Sequence, residues 1–207
     1  MSRRDRVLLP FEVAQVLAIA IAPLPEQLPV ALPLVGIAGL SAWIRGRSLG
    51  TERSIPLAFP IGAAAGLLAL IAALVVGTPL VESIADRAVQ WSTYPIARGS
   101  FGQAGVVMVV VIATAVAMEL ALRGWIVERV IALRPRLSPN AVGVGVGAFA
   151  EAIITRGDFA SRLGAAMFGA GLGWIYVASK RSIAAPVAAR LVFTCGALIL
   201  EALQLIG

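Results

Sequence analysis

Runs of apolar residues long enough to cross a bilayer recur along the whole of this chain. A helix needs about 20 apolar residues to span the hydrocarbon core. Lipid offers no partner to backbone N–H and C=O groups, so each run must satisfy its own backbone, as a helix does and a strand does not. The runs predict seven membrane spans, over residues 7–22, 28–44, 55–76, 101–122, 139–154, 159–178 and 183–206. The first two are short, which suits tilted helices or a tight hairpin through Pro23-Leu24-Pro25. With 59% hydrophobic and 14% charged residues, no soluble domain of any size is left over. The expected fold is therefore all-α, a polytopic membrane bundle of about seven helices. Two parts are expected, N-terminal helices over 1–100 and a core over 101–207.

The connecting segments alternate in basic content. Arg3, Arg4, Arg6, Arg45, Arg47, Arg53, Arg123, Arg129, Arg134, Arg136, Lys180 and Arg181 fall on one side. The other side holds Arg87, Arg98, Arg156 and Arg162, balanced by Glu26, Glu82, Asp86 and Asp158. Basic loops stay in the cytoplasm, so the N-terminus is expected inside and the C-terminus outside. Basic juxtamembrane segments also attract anionic lipid. Membrane lipid therefore accounts for the net charge of +6, and no nucleic-acid partner is needed. The start resembles the basic end of a signal peptide, but Pro10 and Glu12 interrupt the apolar stretch and no small-x-small site closes it. The expectation is a retained first helix. Residues 78–100 read as an amphipathic helix on the outer surface, with Trp91 and Tyr94 at headgroup level. A second short surface helix is expected over 125–133.

Gly62, Gly66, Gly143, Gly147, Gly169 and Gly173 belong to a set of small residues that lets helix backbones approach closely. The Gly169-x-x-x-Gly173 step reads as internal packing rather than dimerisation. Cys195 is the only cysteine, so it forms no internal disulfide and builds no thiolate site alone. It reads as a small residue in helix packing.

Ionisable residues inside membrane helices cost about 2.5–3.5 kcal/mol each on insertion scales, and are usually paired or line a polar cavity. Glu12, Glu119, Glu151, Arg190 and Glu201 are the candidates. Glu119 and Arg123 are four apart, on one helix face, with the acid first. They suit either a polar site open to the cytoplasm or a local pair anchoring a helix end. Glu151 and Arg190 have no partner on their own helices. The least costly arrangement is a bridge between the two helices, a charge-assisted carboxylate–guanidinium pair, with Glu119 a candidate to join it.

Met118-Glu119-Leu120-Ala121-Leu122-Arg123-Gly124 resembles the Glu-Glu-x-x-x-Arg-Gly signature of the CPBP family, the CAAX proteases and bacteriocin-processing enzymes. Gly171-Leu172-Gly173-Trp174-Ile175-Tyr176 is similar to that family's Gly-x-Gly-Trp-x-Tyr segment. Ser182-Ile183-Ala184-Ala185-Pro186-Val187-Ala188-Ala189-Arg190 is similar to its Ser-x-x-Ala-Pro-x-x-x-His. Trp43-Ile44-Arg45-Gly46-Arg47-Ser48-Leu49 is similar to a common cytoplasmic linker ahead of the core.

The resemblance implies a membrane-embedded helical core that cleaves peptide bonds, including those of prenylated CAAX proteins. In the family, two glutamates, an arginine, two histidines and an asparagine hold a metal or orient an attacking water. Here Met118 stands for the first glutamate, while Glu119 and Arg123 match the second and the arginine. Gly147 and Glu151 stand where the family has phenylalanine and histidine, and Arg190 and Thr194 where it has histidine and asparagine. The chain contains no histidine at all. A guanidinium does not ligate a cation, and two carboxylates without imidazole are a poor zinc site.

The expected remnant site is thus Glu119, Arg123, Glu151, Arg190 and Thr194, with no metal or other cofactor; zinc is expected only if the family activity is retained. Three readings follow. The favoured one is a non-catalytic protein that binds a peptide, a lipidated segment or a membrane-protein subunit. A second is a peptidase with a rebuilt site, using Glu119 or Glu151 as general base and Arg190 or Arg123 on the oxyanion. A third is a small-molecule or ion carrier, against which no internal repeat and no pair of broken helices is seen. The resemblance also implies a bacterial inner-membrane location.

Overall fold

The computed structural model describes residues 11, 31–44, 56–85, 99–133, 137–155 and 159–206. Every regular element among them is a helix. In chain order these are α1 (Ala31–Ile44), α2 (Ala58–Ala72), α3 (Thr78–Ala85), α4 (Phe101–Glu119), α5 (Glu128–Ala132), α6 (Pro139–Ile154), α7 (Phe159–Ala178) and α8 (Ala184–Ala202). The chain forms an all-α membrane helical bundle. Three helical runs have the length and apolarity to cross a membrane: Ala58–Leu80, Phe101–Ala132 and Ala184–Ala202. Pro33–Ile44 and Pro139–Ile154 are apolar but shorter. α7 is 20 residues long, but Arg162 and its four glycines leave it less apolar. The predicted span over 7–22 lies outside the described residues save Phe11.

Two of the long runs pass through π-helical turns, Ala73–Gly77 and Leu120–Val127. The first joins α2 to α3 without a break, and the Thr78 hydroxyl donates to the Ala73 carbonyl there, 3.0 Å. The predicted surface helix over 78–100 therefore starts as the extension of a membrane run; its residues 86–98 lie outside the described residues. The second π turn joins α4 to α5, and it corrects the first part of the reading of 125–133, since 128–133 is partly or fully exposed save for Ile131. Ala121 through Val127 are all buried, Trp125 included. A surface helix needs one open face. Here α1 covers one side with Leu34 and Ala38, and the Trp125 indole N–H donates to the Ser41 hydroxyl, 3.0 Å. On the other side α6 approaches through Gly143 and Gly147, where any side chain would meet Ile131 and Val127.

Local signals set the helix ends around the core. Ser100 caps α4 by accepting from the Gln103 amide, 3.4 Å. Pro139 opens α6, where its missing N–H costs nothing. The link from α7 to α8 turns through Lys180 and Arg181, both at positive φ, and the Arg181 amide closes the helix on the Tyr176 carbonyl.

The tightest crossing joins α2 to α8. A Cβ on Gly62 would run into the Ala185 backbone, and one on Gly66 into the Ala189 backbone. A backbone cannot move aside as a side chain can, so Gly66→Ala should lower the thermal midpoint, with overpacking costs of about 1–3 kcal/mol. Gly164 has nothing within 4 Å of its Cβ position. Gly164→Ala should be neutral or stabilising, since alanine is the better helix former by about 1 kcal/mol. Thermal unfolding of the two variants in detergent checks the pair, and equal effects would argue against this crossing.

Candidate functional site: a buried cluster of four charges

Four ionisable side chains converge from four segments. Glu119 ends α4, Arg123 lies in the following π turn, Glu151 is on α6 and Arg190 on α8. The Arg123 guanidinium donates from Nη1 to Glu119 Oε1, 3.3 Å, and from Nη2 to Glu151 Oε2, 2.7 Å. The same Nη2 donates to the Gly169 carbonyl of α7, 2.7 Å. Arg190 donates from Nε to Glu119 Oε1 and from Nη2 to Glu151 Oε1. Each carboxylate thus touches both guanidiniums, and the ionised cluster is neutral.

Burial makes this arrangement obligatory. Glu119 and Arg123 are fully buried, Glu151 is 3% exposed and Arg190 9%. A charge removed from water without a partner costs several kcal/mol, so charges held this deep have to be paired. The pairing of Glu151 with Arg190, and the participation of Glu119, follow the sequence expectation. The two readings of Glu119 and Arg123 both need revising. The pair neither opens to the cytoplasm nor merely anchors a helix end, because both side chains are sealed and tied to other helices.

Close packing around the charges comes from residues that the pattern of charges does not indicate. Gly169 brings its carbonyl to Arg123 because it lacks a side chain; a Cβ there would lie 2.6 Å from Glu151 Oε2. Phe168, next to it, lays its ring 5.3 Å from the Arg190 guanidinium carbon and packs on Phe193, with centroids 4.5 Å apart. A cation over an aromatic face is favourable, so the one partly exposed charge is screened by a ring. The Gly169-x-x-x-Gly173 step points inward at α6 through both glycines, as expected of internal packing.

Thr194 does not join the cluster. Its hydroxyl donates to the Arg190 carbonyl on its own helix, 2.8 Å, so it meets the predicted remnant site through that backbone atom and not through the charges. A β-branched hydroxyl one turn after a helix carbonyl readily closes this bond; Thr155 does the same to Glu151, 2.8 Å. Met118 turns away, packing against the apolar cluster of Leu34, Leu122 and Trp125. Glu12 lies outside the described residues. Glu201 is buried at the far end of α8. A separate polar group joins α5, α6 and α7: Tyr176 donates to Glu128, 2.9 Å, and Arg181 reaches both Glu128, 3.7 Å, and Asn140, 3.4 Å.

The donor set does not fit a divalent metal. Among the described residues no three His, Cys, Asp or Glu side chains gather as such a site requires. Glu119 and Glu151 are the acids of the cluster, and two guanidiniums, which cannot ligate a cation, already occupy them. Two atoms remain without a protein partner: Glu119 Oε2, an acceptor, and Arg123 Nε, a donor.

Fold and site together define a helical membrane protein whose core segments meet at a buried ion-pair cluster. Residues 100–195 match the family model described as type II CAAX prenyl endopeptidase Rce1-like. That stretch is thus similar to an Rce1-like domain, and all four clustered charges fall inside it. No curated protein and no solved structure matches the chain.

Proposed function

We propose that the chain is a non-catalytic CPBP-like integral membrane protein. It binds a peptide, a lipidated segment or a membrane-protein partner, as an accessory subunit of a membrane complex. One observation carries this reading: both carboxylates of the cluster are buried and engaged by two guanidiniums. A general base must reach the water it activates. A metal-assisted hydrolase also relies on its cation for several kcal/mol of transition-state stabilisation, and this donor set does not fit one. Membrane lipid is the remaining partner. Leu67, Leu68, Val106, Val109 and Met167 are exposed, as side chains facing hydrocarbon would be. A bacterial inner membrane, with the N-terminus in the cytoplasm, completes the proposal.

One atom favours the rebuilt peptidase as a second reading. Glu119 Oε2 accepts from no protein group, and a water there would be positioned for deprotonation. A single preparation separates the two. Protein purified without chelators is analysed for bound metal and assayed against a prenylated CAAX peptide, with Glu119→Gln as the reference. The proposal expects metal far below one per chain, no cleavage above the reference, and a partner that stays associated through detergent extraction. Stoichiometric zinc, or cleavage that disappears with Glu119→Gln, would overturn it.

A further inference from the structure

We propose that Glu119 and Glu151 form a binding site for a monovalent, guanidinium-type cation, and that Arg190 fills this site from within the chain. This holds whichever activity the domain has. Glu119 Oε1 and Glu151 Oε1 come from different helices, and both accept from the one Arg190 guanidinium. The second Glu151 oxygen is taken by Arg123. The second Glu119 oxygen is buried and accepts from nothing. Arg190 thus rests on one oxygen of each carboxylate, and one further buried carboxylate oxygen of the cluster is left over, as in a site that draws a cation.

The charge balance selects the valence. Without Arg190, two carboxylates and Arg123 leave one net negative charge. A monovalent cation restores neutrality. A divalent ion would overshoot it and face the Arg123 guanidinium in a medium that screens poorly. Shape selects the chemistry. Arg190 reaches two carboxylates with two separate N–H groups, Nε and Nη2. A planar fork does this, and an ammonium, which acts as a point charge, does it poorly. The Phe168 ring at 5.3 Å offers the same face to a free cation as to the resident one.

Two features make the site separable from the side chain that fills it. Arg190 has 11% of its side chain exposed, against 3% for Glu151 and none for Glu119 and Arg123, so its side is where a small cation enters. The backbone of α8 is held independently, because Gly62 and Gly66 of α2 seat on Ala185 and Ala189 just before Arg190. Removing the Arg190 side chain should therefore leave a hole rather than a displaced helix.

The test follows thermal unfolding of the full chain in detergent, for wild type and Arg190→Ala, with methylguanidinium at sub-denaturing concentration. Methylammonium at equal ionic strength and calcium are the comparisons. The expected result is a rise of roughly 3–5 °C for Arg190→Ala with methylguanidinium near ten times its dissociation constant. Wild type should not respond, nor should Arg190→Ala combined with Glu119→Gln and Glu151→Gln. No rise, an equal rise in wild type, or a larger response to methylammonium or calcium would overturn the proposal. If Arg190→Ala does not survive extraction, Arg190→Lys and Arg190→Leu decide. The lysine retains a monovalent cation, so its midpoint should lie above that of the leucine. A leucine variant as stable as the lysine would show that no cation is required.

Discussion

Arg123→Ala should leave little folded protein after detergent extraction, the largest loss expected of any single substitution in the core. Arg123 is fully buried and holds three acceptors at once: Glu119, Glu151 and the Gly169 carbonyl. Its removal leaves one uncompensated negative charge in the cluster. Breaking a buried pair from one side costs about 3–5 kcal/mol. The Gly169 carbonyl loses its second donor but, inside α7, keeps its place in the helix ladder. Against a typical stability of about 5–15 kcal/mol, the loss of the charge alone removes a large share of what holds a bundle together. Arg123→Lys keeps the charge but not the fork, and a compact ammonium spans poorly the acceptors that two separate guanidinium nitrogens reach. It should fall between wild type and Arg123→Ala. Size-exclusion profile and thermal midpoint give the order. A monodisperse Arg123→Ala with the wild-type midpoint would remove the cluster's structural role.

The reason Arg123 ranks first was only half visible in the sequence. Four-residue spacing revealed its pairing with Glu119, yet that contact is the longest involving Arg123, at 3.3 Å. Its two shorter contacts cross to other helices, and no local pattern specifies them. The pairing of Glu151 with Arg190 was legible for a different reason. Each is a lone charge in a run of small apolar residues, and membrane burial leaves such charges few options. The apolar runs likewise announced helices.

Hydrogen-bond register is what the sequence concealed. The π turn over Leu120–Val127 leaves no mark in hydrophobic periodicity, although it carries Arg123 and buries Trp125. Turns of this kind frequently occur at functional sites, and Trp125, Ile126 and Val127 read as part of an exposed face because α1 and α6 could not be seen covering both sides. Thr194 stays apart from the charges for a related reason. Its side chain had a local acceptor, the Arg190 carbonyl, and took it. Gly169 was read as a packing residue. It is one, and its carbonyl is also a ligand of Arg123, a role open to any residue in sequence and here allowed only by the missing Cβ.

Glu151→Ala and Arg190→Ala should each cost about 3–5 kcal/mol, and the double variant clearly less than their sum. Each single change strands a charge. Without Glu151, two guanidiniums share Glu119; without Arg190, two carboxylates share Arg123. The double change strands none, since Glu119 and Arg123 remain as a neutral pair with their own contact. The coupling should therefore approach the upper part of the range of about 0.5–3 kcal/mol found for residues in contact. It should not account for the whole of either single loss, because Glu151 also serves Arg123 and Arg190 also serves Glu119. Glu128 and Arg181 provide the contrast, a pair 3.7 Å apart with both side chains 31% exposed. Water screens that contact, so its own cycle should give no more than about 1 kcal/mol. Denaturant titration of both cycles in one detergent measures the difference. Additive losses at Glu151 and Arg190 would mean that the guanidinium does not rest on that carboxylate. A coupling no larger than that of the exposed pair would mean that the core is wet, because only exclusion of water makes one charge depend so strongly on the other.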